Sequence, residues 1–360
     1  MFDTHSGDSA MILPHTRAPL RTQRALVALA LLGTAFATST VRAETWAARL
    51  GYPAGQKVIL LQTREMGLCY ATNAADEQLW SEGVRHSSAA MAPCPWFADY
   101  VDRTRDYPKS DVGLTLTLNS EWPRYRWQPL AHDDAVASLV DQQGYLWTTT
   151  TQTLVSAAPA DVESELHAQI LHANLAGMRP THLTTHLGTL YSRADLVEVY
   201  LKLAQSYWIP AVIIELTPDQ LDRFRSMGFP LPDELVAAVQ AYPLPKLDDL
   251  QFVESAESYE AKKAAFLELV DGLQPGLTSI ALHPAVDEPA LRRIVDNAEQ
   301  RVWDLQLLVD PDIRDRLNAA DVTLTTWQEI MDRFEGRVPP GDSVSGATSA
   351  ASAPRAGGAP

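Results

Sequence analysis

Three histidines and an Arg-Glu pair are the residues in this chain whose types and spacing could do chemistry. His182 and His186 lie in Pro180-Thr-His-Leu-Thr-Thr-His-Leu-Gly188, and His283 sits in a His-Pro step. Arg64 and Glu65 follow the apolar run Lys57–Leu61. A neutral imidazole ligates metals and moves protons near neutral pH, and a carboxylate does both. Glu65, His182, His186 and His283 together make a reasonable zinc donor set. Pro180 fixes the entry to the histidine stretch and Gly188 lets the chain turn out. Read as a strand, Thr181–Leu187 places His182, Thr184 and His186 on one face, because side chains repeat every two residues. In a parallel sheet such a row near the carboxyl end of a strand is where chemistry sits. The plain alternative is two histidines hydrogen-bonded inside a core.

The elements that must position these residues alternate. Lys57–Leu61 reads as a buried strand ending in a polar loop, Gln62–Gly67. A helix with Leu68, Ala71, Ala75, Leu79 and Trp80 on one face follows, ending at Gly83. Further strands are expected at Ser87–Met91, Val112–Leu118, Ala211–Ile214, Leu277–Leu282 and Val322–Leu324. Helices are expected to begin near Trp96, and over Asp161–Ala176, Arg193–Tyr207, Tyr259–Gln274, Pro289–Arg301 and Trp327–Phe334. Pro218–Asp249 is broken by prolines and a glycine into helical pieces of no evident order. Strand–helix alternation implies a parallel sheet with right-handed crossovers. No Gly-x-Gly-x-x-Gly follows the first strand. The fold class is therefore α/β, an irregular TIM-like (β/α) barrel of about seven parallel strands.

The chain has 360 residues, 46% of them hydrophobic, which suits one large α/β domain. Its first part reads as a leader: Arg17, Arg21 and Arg24 precede the apolar run Ala25–Ala37, and Val41-Arg-Ala43 is a small-x-small cleavage signal. Cleavage after Ala43 predicts a secreted or periplasmic protein with no membrane anchor. The domain would span 44–336, and a Pro/Gly/Ser/Ala-rich tail, 337–360, is expected to be disordered. Without the leader 25 basic and 43 acidic residues remain, a net charge near −18. That surface repels nucleic acid and anionic membranes. Cys69 and Cys94 are the only cysteines. They are no disulfide framework, and either a pair or two buried thiols fits.

Five stretches carry a family resemblance: Gly67-Leu-Cys with Asn73; Met91-Ala-Pro-Cys-Pro-Trp-Phe97; Asp111 to Trp122; Pro180 to Gly188; and Leu277 to Pro284. In this order and spacing, from about Lys57 to Phe334, the chain resembles the YdjC-like carbohydrate deacetylases, which include chitooligosaccharide and hopanoid-biosynthesis deacetylases. The resemblance implies removal of an N-acetyl group from an amino sugar. One Asp and two His hold a divalent metal, a second Asp is the base, and a His lies near the leaving group. Several chemical positions depart from that pattern. The family's Asp-Asp matches Arg64-Glu65, and a guanidinium cannot accept a proton. Its first metal histidine matches Thr115, and the Asp between its two later histidines matches Thr184. His186 and His283 match the remaining histidines.

Two readings follow. In the first, Glu65, His182 and His186 hold zinc, nickel or magnesium, His283 is the catalytic histidine, and Glu121 or Asp111 replaces the lost base. In the second, the metal is lost and the cleft binds an N-acetylated oligosaccharide without turnover. Arg64 then takes an anionic or acetyl group, Thr115 and Glu121 line the site, and Trp96, Trp122, Tyr125 and Trp127 stack on sugar rings. Against both stands an Arg64–Glu65 salt bridge plugging a vestigial site. His86, His132, His167 and His172 belong to no constellation and are expected to be ordinary surface or helix histidines.

Overall fold

The computed structural model describes residues 44–228 and 231–338. The expected leader, and the expected tail beyond 338, lie outside the described residues. Seven strands make one sheet: β1 Lys57–Met66, β2 Ser87–Ala90, β3 Asp111–Leu116, β4 Leu183–Thr185, β5 Asp249–Phe252, β6 Gly276–Leu282 and β7 Val322–Leu324. The order is β4-β3-β2-β1-β6-β5, with β7 also on β1, and every pairing is parallel. Backbone bonds continue round the curl, from Leu183 to Val212, from Leu247 to Ile213, and from Asp248 to Leu277. The expected TIM-like α/β architecture is what forms.

β1 is the axis of the sheet, with every residue after Lys57 buried. The polar stretch expected as a loop, Gln62–Met66, is strand instead. Its backbone is paired to β6 as far as Thr63↔Leu282, and the ladder outweighs side-chain polarity. The polar side chains are absorbed locally: Thr63 Oγ1 donates to Asp76 Oδ1 at 3.0 Å on the outer face. Gln62 and Arg64, two residues apart, share the inner face. The register to β2 slips between Thr63 and Met66, and Glu65 takes a left-handed φ of 66°. Such a bulge re-aims a side chain, so Glu65 escapes the strict alternation that would send it away from Arg64. Gly67 follows at φ +78°, where a Cβ would meet the Phe97 backbone at 3.1 Å. Asn73 pins this end: its Oδ1 accepts Gly67 N at 2.7 Å and its Nδ2 donates to Trp96 O at 3.0 Å.

Helices Tyr70–Ser81, Phe97–Thr104, Pro159–Leu175, Ala194–Tyr207, Tyr259–Gly272 and Trp327–Phe334 fall where periodicity and capping place them. The helix expected over Pro289–Arg301 is broken, into Leu291–Ile294 and Ala298–Val309. Ala211–Ile214 makes only isolated bridges, and β5 arises in a stretch that gave no strand signal. The expected strand Thr181–Leu187 shrinks to Leu183–Thr185, because Leu187 and Gly188 turn left-handed at φ 53° and 67°. No described helix is long and apolar enough to cross a membrane. Cys69 and Cys94 are buried free thiols.

Candidate functional site

The carboxyl ends of β1, β4 and β6 converge. Glu65, His186 and His283 come from these three ends, Glu121 from the loop after β3, and Arg301 from helix Ala298–Val309. Arg301 Nη2 donates to Glu65 Oε2 at 2.6 Å, with both side chains buried. Glu65 Oε1 faces two rings, His186 Nδ1 at 3.5 Å and His283 Nε2 at 3.9 Å. On the far side of its ring, His186 Nε2 lies 3.0 Å from both oxygens of Glu121. The result is a linked chain of ionisable groups, Arg301–Glu65–His186–Glu121.

The electrostatics follow from burial and neighbours. Burial alone would raise Glu65, but Arg301 first, then the imidazoles, hold its carboxyl down at about 2. Burial lowers His186, and this is outweighed by Glu121 and Glu65, so its pKa is raised. His283 keeps 31% of its side chain exposed, yet desolvation of its ring outweighs Glu65 and pushes it to about 4. At neutral pH His283 is therefore a neutral ring, free to exchange a hydrogen bond with a ligand. Glu65, held so acidic, is a weak base.

Arg64 does not salt-bridge Glu65. Its guanidinium turns inward, donating from Nη2 to Gln62 Oε1 at 3.2 Å, beneath the half-exposed Phe252 ring at 5.5 Å. The expected plug is thus built by Arg301, a residue that no sequence motif marked. Its partner Glu65 is 236 residues away in sequence, and only the packing of Ala298–Val309 beside β1 reveals it.

His182 corrects the expected metal set. It shares a face with His186, but four residues of strand separate them by about 13 Å. Its ring is fully buried at the start of β4, stacked on Trp327 with centroids 5.7 Å apart and with Nδ1 3.9 Å from Asp111 Oδ1. The same residue is why position 113 is glycine: a Cβ there would lie 2.4 Å from the His182 carbonyl oxygen and 2.5 Å from its Nδ1. Asp111, considered as a replacement base, sits at this far end, accepting from Ser87 Oγ at 2.8 Å and Gln328 N at 3.0 Å. His86 is likewise no surface residue; it is buried 2.9 Å from Asp76, which also takes the Tyr100 hydroxyl at 2.7 Å. His132 is exposed, His167 bonds Tyr207, and His172 packs on Phe97.

The expected sugar platforms divide. Trp122 is half-buried beside the cluster, 6.2 Å from the His186 ring and 5.9 Å from the Arg301 guanidinium. Trp127 is only 3% exposed and packs beneath Trp122 at 5.6 Å, so it is core rather than platform. Tyr125 is tied down by its hydroxyl, which donates to Leu68 O at 2.6 Å. Trp96 is 37% exposed and stands against Tyr70 at 5.8 Å. Thr115 is buried on β3 beside Thr184 of β4, and its hydroxyl has no hydrogen-bond partner.

A parallel barrel with an ionisable cluster at the carboxyl ends of its strands has the layout of barrel enzymes. The family model for YdjC-like protein matches residues 65–319. A carbohydrate deacetylase of Thermus thermophilus is 31% identical over 284 residues, covering 78% of this chain and 96% of that protein. One from Enterococcus faecalis is 24% identical over 282 residues, covering 76% and 98%. A crystal structure from Enterococcus faecalis V583, described provisionally as a cellobiose-phosphate cleavage protein, shares the fold at TM-score 0.64 and 20% identity, covering 76% of this chain and 99% of that one. This chain belongs to the YdjC-like carbohydrate deacetylase family.

That family is generally metal-dependent, so the donor set needs testing against a metal. Among the described residues no group of three His, Cys, Asp or Glu side chains is placed to hold one. Glu65 is engaged by Arg301, His186 by Glu121, and the metal-ligand positions that the resemblance implies carry Glu65 and Thr115. The residues as arranged do not fit the group.

Proposed function

We propose that this chain binds an acetylated carbohydrate in the family's cleft, with a self-neutralised ion-pair chain in place of the family's metal. The observation that carries this reading is the Arg301–Glu65 bond at 2.6 Å. A dication approaching Glu65 would have to displace a guanidinium of like charge, at a cost of several kcal/mol at intermediate dielectric. His283, neutral near pH 7 and 31% exposed, and the half-buried Trp122 border the cluster, one a polar handle and one a stacking surface. Export after cleavage at Ala43 belongs to the same proposal and would bring the cleft to extracellular glycans.

The test is to titrate chitooligosaccharides while following tryptophan fluorescence, beside acetate release with zinc, nickel or magnesium added. Saturable binding without acetate release is expected. No spectral change up to millimolar sugar would sink the proposal. One observation favours a second reading: His186 Nδ1 and His283 Nε2 both face Glu65 Oε1. If Arg301 moved aside, these three would be the ligands of a shifted metal centre. Zinc calorimetry separates the two readings, since micromolar binding abolished by His186→Ala belongs to the second alone.

A further inference from the structure

Among the described residues three arginines are buried, Arg64, Arg301 and Arg333. Arg301 meets Glu65 at 2.6 Å and Arg333 meets Glu329 at 2.9 Å. Arg64 is as deeply buried, 7% exposed, but among the described residues no carboxylate lies within ion-pairing distance of it. Its polar partner is the neutral amide oxygen of Gln62, and its Nε, also buried, has no hydrogen-bond partner. Buried charges in folded proteins are paired, since leaving one alone in a poorly polar interior is costly.

Arg64 is not alone in lacking a partner. Gln62 Nε2 on β1, Thr115 Oγ1 on β3 and His182 Nε2, one residue before β4, are all buried without one. The Arg64 charge is felt at His182, whose pKa is pushed down to about 4 chiefly by burial, with Arg64 adding to it. An amide NH2, a hydroxyl and a guanidinium edge are donors, and together they suit an acceptor-only group. Arg301 is matched by Glu65 at 2.6 Å, whereas Arg64 keeps a positive charge with no carboxylate in ion-pairing distance. A monoanion matches that charge, and the planar fork of a guanidinium matches a carboxylate.

We propose that Arg64 is the binding site for a carboxylate, so that the ligand of this cleft is an acidic carbohydrate such as a uronic-acid-containing glycan. The carbohydrate part rests on the function proposed above; the carboxylate part rests on Arg64 alone. The Phe252 ring, 53% exposed, lies over the guanidinium at 5.5 Å.

The experiment uses the whole chain at pH 7 and fixed ionic strength, with sodium glucuronate and glucose as the charged and neutral probes. Calorimetry should show glucuronate bound at least tenfold tighter than glucose. Acetate, but not equimolar phosphate, should compete with glucuronate. In Arg64→Met the preference for glucuronate should vanish while the protein stays folded, because the variant removes an unpaired buried charge. Arg64→Lys keeps the charge but loses the fork, and should reduce the preference severalfold, which serves if the Met variant does not fold. Equal affinity for glucuronate and glucose, a preference that survives Arg64→Met, or phosphate competing better than acetate would each overturn the proposal. Loss of chitooligosaccharide binding with an intact glucuronate preference would instead overturn the proposed function.

Discussion

The Arg301–Glu65 pair can be measured directly by a double-mutant cycle with Arg301→Met and Glu65→Gln. A carboxyl held at about 2 rather than 4.5 gains about 3 kcal/mol of stability when ionised, at about 1.4 kcal/mol per pH unit. Both side chains are under a tenth exposed, so solvent screening takes little of it. Arg301 is the first of the groups that hold Glu65 down, ahead of His283 and His186. It is the largest contributor, and the expected coupling energy at pH 7 is about 2 kcal/mol. The sign is fixed by linkage: a depressed carboxyl contributes stability that is fully present above about 4.5 and is lost as pH falls toward about 2. The stability gap between wild type and Glu65→Gln should therefore narrow by about 2 kcal/mol between pH 7 and pH 3. Urea unfolding followed by circular dichroism gives each corner of the cycle. A coupling below about 0.5 kcal/mol, or a gap independent of pH, would refute the claim that this pair neutralises the site.

Three further outcomes are expected. Because His182 is fully buried and titrates at about 4 rather than 6.5, its contribution is present above pH 6.5 and lost on acidification to about 4. His182→Gln should shrink the fall in unfolding free energy across that window by about 3 kcal/mol, and an unchanged pH profile would count against the assignment. Trp122→Ala should weaken oligosaccharide binding with little loss of stability, whereas Trp127→Ala should cost about 3–5 kcal/mol in urea unfolding; the reverse pattern would exchange their roles. Combining Arg64→Asp and Thr115→His with Arg301→Met removes two cations and restores a histidine, so micromolar zinc binding should appear by calorimetry; a folded, metal-free triple variant would show that these positions do not face one another.

The sequence by itself determined most of the scaffold, because those signals are local. Val322–Leu324 and Trp327–Phe334 form where their patterns place them, and alternating strands and helices imply a parallel sheet with a strand count that favours a barrel. It also marked Glu65, Glu121, His186 and His283, four of the five groups in the ion-pair chain and its neighbour, through family-like motifs and residue chemistry. Tertiary structure decided what those groups do. Periodicity puts His182 and His186 on one face but carries no depth, so only the packed barrel separates a core histidine on Trp327 from one at the mouth. Adjacent residues Arg64 and Glu65 looked like partners, yet the bulge in β1 gives Glu65 to Arg301 and leaves Arg64 facing inward alone. A contact between residues 65 and 301 has no local trace in the chain, because it is fixed by how a distant helix docks on the barrel.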